Sequence, residues 1–182
     1  LAGRKTQTRR LIPNAGGICW RLEPIGGNEW AEYDNEGDSI GLIGWRRCPY
    51  GAPGDRLWVR EAWARTDYED EGPFQNTTIY RANGEDGVWN APGGRWRSPL
   101  HMPRWASRLT LAVTGVRVER LQSITEADAI AEGIEPDPLG RWYGSGYNTA
   151  VYAYEALWDR INGKRAPWAS NPWTWVIEFT RV

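Results

Sequence analysis

Period-two alternation is the feature that most limits what this chain can form. In residues 109–121 Leu109, Leu111 and Val113 alternate with their neighbours, and in 173–181 Trp173, Trp175, Ile177 and Phe179 do the same. Successive side chains of a strand point to opposite faces, so both runs predict strands rather than helices. After Gly115 the apolar phase moves to Val116 and Val118, which predicts a β-bulge that bends the strand. A Pro-Gly turn precedes a third run, residues 54–64, in which Leu57, Val59, Glu61 and Trp63 share a face. Glu61 then stands on an apolar face, where a carboxylate needs a partner, unless an edge position lets it reach solvent.

Two helices are expected beside these strands. Thr125 and Asp128 have capping-box spacing for a helix from Glu126 to about Glu132, with Gly133 as its stop. A second helix from about Ala150 to Ile161 has an apolar stripe of Val151, Tyr154, Trp158 and Ile161, and Gly163 ends it. Residues 13–53 and 66–98 are rich in Gly, Pro, Asn and acids. They are expected to be long loop insertions, with a short hairpin around Thr77–Arg81. Together these predict an α+β fold: a small mixed β-barrel with two main helices, residues 1–182 forming one domain.

Composition narrows the function classes. No run of eighteen apolar residues is present, so no membrane span is expected. Two cysteines, Cys19 and Cys48, and no charged-then-apolar leader favour a reducing cytoplasm. The formal net charge is −1, so the chain as a whole is not an electrostatic nucleic-acid binder. The charges are nonetheless uneven. Residues 1–21 hold Arg4, Lys5, Arg9, Arg10 and Arg21 without an acid, and residues 95–120 hold six arginines against Glu119 alone. That distribution suits a basic cleft in a neutral protein, and ordinary surface patchiness is the alternative. The only histidine is His101, which removes histidine triads and zinc sites with two or more histidines. No P-loop is present, and no metal or organic cofactor is implied. The only lysines are Lys5 and Lys164. Arginine stays protonated in a protein whereas lysine can lose its proton, so a lysine set among arginines is a candidate base.

The opening reads Leu1-Ala2-Gly3-Arg4-Lys5-Thr6-Gln7-Thr8-Arg9-Arg10. Gly3, Lys5, Thr8 and Arg10 match the Gly-x-Lys-x-x-Thr-x-Arg signature of the ASCH-domain family, part of the PUA-like superfamily, which the chain resembles. Pro53-Gly54-Asp55-Arg56-Leu57-Trp58-Val59 resembles the family's Gly-Asp turn and following strand. Leu121-Gln122-Ser123-Ile124-Thr125-Glu126 and Trp175-Val176-Ile177-Glu178-Phe179 resemble its helix start and closing strand. Bacterial N4-acetylcytidine amidohydrolases of this family use a lysine, a threonine three residues later and a glutamate in the helix after the central strands. Lys5, Thr8 and Glu132 fall on those positions. In its insertions the chain resembles longer, tryptophan-rich members of phage type.

The resemblance implies an amidohydrolase that removes the acyl group from the exocyclic N4 of an acylated cytosine nucleoside, a small-molecule substrate. Thr8 supplies a hydroxyl, Lys5 the base that activates it, and Glu132 a proton for the leaving nitrogen. In a helical turn Lys5 and Thr8, three residues apart, face the same way. Arg10 is the candidate for steadying the oxyanion or the base carbonyl. Glu61 is a candidate hydrogen-bond acceptor for the substrate, and Trp63 and Trp105 are candidate stacking surfaces. The plainer readings are a basic turn that binds phosphate or pairs with acids, a paired acid and core tryptophans. The rival class is a non-catalytic RNA-binding PUA-like module of phage origin, with weak RNA binding through the arginines of 95–120.

Overall fold

The computed structural model describes residues 5–13, 21–36, 39–65, 77–83, 95–136 and 149–182. Gly3 and Cys19 lie outside the described residues, as do 66–76 and 84–94, most of the second expected insertion. The protein is α+β and mostly strands. Among the described residues these are β1 (Gln7–Leu11), β2 (Arg21–Gly26), β3 (Glu29–Glu36), β4 (Ser39–Arg47), β5 (Arg56–Trp58), β6 (Trp63–Arg65), β7 (Thr78–Tyr80), β8 (Thr110–Arg120) and β9 (Trp173–Arg181). The α-helices among the described residues are α1 (Glu126–Ala131) and α2 (Ala150–Asn162). The sequence reading takes 1–182 as one domain; the fold groups them into two compact units, residues 1–56 with 112–181 and residues 57–111 with 182.

In the first unit β1, β9 and β8 lie side by side in that order. Residues 54–56 flank β8 on its other side, with Gly54 N–H donating to Val113 O (2.8 Å) and Val113 N–H to Asp55 O (2.9 Å). β1 and β9 are antiparallel, with Thr8 opposite Ile177 and Arg9 opposite Val176. As an inner strand β9 is buried on both faces, at Thr174, Trp175, Val176, Ile177 and Phe179. Gly115 answers a close approach: a Cβ there would stand 2.6 Å from Glu178 Oε2.

β2, β3 and β4 form a three-stranded antiparallel sheet, which corrects the reading of 13–53 as loop. Gly27 and Asn28 connect β2 to β3, and Gly27 takes the left-handed φ of +60° that favours glycine. Trp30, Ala31 and Glu32 are buried in succession, and the register with β4 shifts between Glu32 and Tyr33. Trp30 meets Trp175 of β9 edge-on, ring centroids 4.6 Å apart. Such a contact contributes about 1 kcal/mol beyond its area burial.

Both helices form as the sequence predicts, except that Ile161 of the expected apolar stripe is exposed. Thr125 Oγ1 accepts the Asp128 N–H (3.1 Å), and Asp128 Oδ2 accepts the Thr125 N–H (3.1 Å). Thr149 caps α2, and the Glu126 carboxylate accepts the N–H groups of Ala150 (2.8 Å) and Val151 (3.2 Å). A shared core of Leu121, Ala129, Ala153, Tyr154 and Trp158 packs the helices together, with Leu11 of β1 against it.

In the second unit the expected strand over 54–64 is cut short. β5 stops at Trp58, and only β6 resumes at Trp63, pairing with β7. Trp63, Met102 and Ala106 form its core, with Tyr80 packed against them. No helix among the described residues is long and apolar enough to cross a membrane.

Candidate active site

The site begins where the lead-in to β1 docks on the end of α1. Thr6 N–H donates to Ala131 O (2.9 Å), so the chain cannot drift from the helix terminus. Gly133 turns α1 off with φ +90°, and a Cβ there would stand 3.3 Å from Lys5 Cβ. That turn brings the Lys5 ammonium to two acceptors at once, the Glu132 carbonyl (2.8 Å) and Glu132 Oε2 (3.1 Å). A lysine on the last carbonyls of a helix also meets the negative end of its dipole.

The Lys5–Glu132 pair is asymmetric. The Lys5 side chain is 47% exposed and that of Glu132 only 3%. Solvent thus reaches the lysine side chain while the carboxylate stays inside. Glu132 Oε1 is buried and accepts no hydrogen bond from the described residues. Burial pushes the Glu132 carboxyl above its ordinary range, while Lys5 and the Arg9 guanidinium and main-chain N–H pull against it. Tyr154 of α2 also faces this group. Burial, helped by the Glu132 charge, pushes its phenol up, against the pull of Arg9 and Arg10.

Behind Glu132 lies Arg9, whose side chain is fully buried. Its Nη2 stands 2.9 Å from Glu119 Oε2 and 3.3 Å from Asp128 Oδ2, and its Nη1 stands 3.8 Å from Glu132 Oε1. Arg117 carries the network outward to Glu119 (2.6 Å), Asp128 (2.9 Å) and Glu178. Asp128 is held below its ordinary range: burial acts against this, but the Thr125 N–H and hydroxyl, Arg9 and Arg117 outweigh it.

The sequence-predicted residues are therefore partly assembled. Lys5 and Glu132 meet. Thr8 lies within β1, not on a helical turn, and that expectation is corrected. In a strand neighbours face opposite ways, so with Arg9 turned to Glu132, Thr8 and the exposed Arg10 share the other face. Thr8 Oγ1 is buried and carries no hydrogen bond among the described residues.

Glu61, Trp63 and Trp105 belong to the second unit. Glu61 takes both forks of Arg108, at 2.8 Å and 2.9 Å. Trp63 is a core residue, while Trp105 is 64% exposed and meets Trp63 edge-on. Of the arginines in 95–120, Arg108 and Arg117 are thus committed to acids, and Arg120 stacks on Trp173 with 4.2 Å to the ring centre. Sequence reasoning missed Arg9, Glu119, Asp128 and Tyr154. Reading 7–11 as a strand would have placed Gln7, Arg9 and Leu11 on one face. Among the described residues no group of three or more His, Cys, Asp or Glu side chains could hold a metal ion. No family model, curated protein or solved structure matches the chain.

Proposed function

We propose that the chain is an amidohydrolase acting on the N4-acyl group of acylated cytosine nucleosides, within a PUA-like fold of ASCH type. The observation that carries the reading is the 3.1 Å contact between a half-exposed lysine and a buried glutamate whose second oxygen accepts no hydrogen bond from the described residues. When the proton they share sits on Glu132, the pair presents a basic amine beside a carboxylic acid. The amine takes a proton from the attacking nucleophile as its oxygen bonds to the acyl carbon. The acid gives its proton to the leaving N4 as the carbon–nitrogen bond breaks. Transfer from the Lys5 ammonium back to the Glu132 carboxylate across their contact restores the pair. One water is consumed, and a carboxylic acid and the cytosine nucleoside are released.

β1 favours water over the Thr8 hydroxyl as the nucleophile, because it turns Thr8 away from the face on which Arg9 meets Glu132. The test is turnover of N4-acetylcytidine, followed by ultraviolet absorbance, in the wild type and in Glu132→Gln and Thr8→Ala variants. We expect Glu132→Gln to lower kcat about 100-fold or more, and Thr8→Ala to retain turnover without an acylated peptide in quenched reactions. Absence of turnover in the wild type, with RNA affinity that falls steeply with salt, would replace this reading by the RNA-binding one.

A further inference from the structure

Among the described residues of the opening motif region, Arg9 is the one whose charge is wholly enclosed, and the reaction described above does not use it. A guanidinium with no access to solvent must be compensated by its neighbours. Glu132 is an obvious partner, since a carboxylate commonly takes an arginine fork through two parallel hydrogen bonds. Arg9 does not close on it. Nη2 is taken up by Glu119 (2.9 Å) and Asp128 (3.3 Å), both oriented in turn by Arg117. Nη1 is left 3.8 Å from Glu132 Oε1, too far for a hydrogen bond. The groups that face Glu132 are then Lys5 from the lead-in to β1, Arg9 from β1 and Tyr154 from α2.

We propose that Arg9 is a positioning residue for Glu132, and that Glu119 and Asp128, by holding its guanidinium back, leave Oε1 able to carry the proton that the leaving nitrogen takes. The proposal rests on the reading of Glu132 as proton donor for its purpose, but its geometry stands apart from it. A fork closed on Glu132 would fix both oxygens to cations and hold the carboxylate ionised. The acid form would then be lost, and the donor with it. A fork removed altogether would leave Glu132 without the second charge that balances its burial. The observed distance lies between these limits: Arg9 is close enough to act through its field and too far to bond.

The experiment follows the Glu132 carboxyl directly by carbon NMR of protein labelled at the glutamate side-chain carboxyl carbon, the resonance being identified by its absence in Glu132→Gln. The variants are Glu119→Gln, which removes the nearer of the two acids that hold Arg9, and Glu178→Gln, which removes the same charge from the network at Arg117, an arginine that does not contact Glu132. Arg9→Met is the more obvious variant but risks the fold, so it is not needed. We expect Glu119→Gln to move the Glu132 titration down by about one pH unit and Glu178→Gln to leave it in place. The alkaline limb of kcat/KM on N4-acetylcytidine should fall by the same amount in Glu119→Gln, with KM little changed. Equal shifts in the two variants, or no shift in Glu119→Gln, would overturn the proposal, since the first means bulk charge and the second means no coupling. A wild type that titrates as expected but turns over no substrate would retire the amidohydrolase reading alone and leave the Arg9 arrangement standing.

Discussion

Glu61 and Glu132 are both buried glutamates that face a cation, one in each unit, and their pairing differs. Glu61 meets a planar fork, and both of its oxygens are bonded to Arg108, which is itself fixed over Tyr80 and to Asn83. Glu132 meets a point charge on a flexible stem through one oxygen, and no described residue donates to the other. The first arrangement commits both carboxylate oxygens to one guanidinium. The second leaves a carboxylate able to exist in two forms, beside a lysine side chain half in solvent. A completed pair is a structural joint, whereas an incomplete one keeps chemical capacity at some cost in stability.

The comparison breaks first at Lys5. Lys5→Arg keeps a positive charge near both Glu132 acceptors but removes a group that can become a neutral base. The expected result is a loss of about 100-fold or more in kcat/KM on N4-acetylcytidine, with an unchanged circular dichroism spectrum. An active Lys5→Arg protein would make the Lys5–Glu132 contact as structural as the Glu61 one.

Next in size is Glu61→Ala, which strands Arg108. Removing one partner of a buried pair costs about 3–5 kcal/mol, but the Arg108 side chain is 30% exposed and water can compensate part of its charge. A loss of about 2 kcal/mol in denaturant unfolding is expected. The Glu132 titration should not move. A loss below about 0.5 kcal/mol would mean that the fork is an ordinary surface pair.

Asp128→Asn should cost less, about 1 kcal/mol, because asparagine can still accept the Thr125 N–H of the capping box and the charge facing Arg9 and Arg117 is what is lost. The Asp128 carboxyl is held below its ordinary range. Its contribution is therefore present above the unfolded value of about 3.9 and disappears as pH falls through the lower folded value. Melting curves of variant and wild type should converge in acid. Curves that stay apart there would assign the loss to the cap rather than to the charge.

How much of this was legible in the sequence depended on whether a residue's surroundings were local. α1 and its capping box, α2 and β9 were readable because caps and periodicity are written within a few residues. Lys5 and Glu132, 127 positions apart, were brought into one site by resemblance to a motif, and the fold brings them together. Arg9 was not legible. β1 has the polar sequence Gln-Thr-Arg-Arg-Leu and is a strand because β9 pairs with it, so its period could not be seen in its own residues. The sheet of β2, β3 and β4 was hidden for another reason. Trp30, Ala31 and Glu32 of β3 are buried in succession, while Leu42, Ile43 and Trp45 of β4 are exposed, so no clean alternation survives. The two-residue Gly27-Asn28 link was the signal that could have revealed it.

The smallest expected effect separates the two glutamates most cleanly, because it concerns sign and not size. Burial outweighs Lys5 and Arg9 in setting the Glu132 carboxyl, which therefore binds its proton more tightly in the folded protein than in the unfolded chain. The favourable contribution of that bound proton is fully present below the unfolded value of about 4.3 and is lost as pH rises through the folded value. Glu132→Gln has no proton to lose. Relative to the wild type it should be close to neutral in acid and gain stability as pH rises towards neutrality, by on the order of a few degrees in Tm or less. The Lys5 contact opposes this trend only weakly, since the lysine is half in solvent and glutamine still offers it a carbonyl oxygen. For Glu61, with both oxygens committed to Arg108, the corresponding Glu61→Gln change should destabilise at neutral pH. Thermal unfolding of the two variants at several pH values decides the matter. If Glu132→Gln is destabilised at neutral pH as Glu61→Gln is, then Glu132 is held as an ion, the pair with Lys5 is a structural joint, and the acid role assigned to it fails.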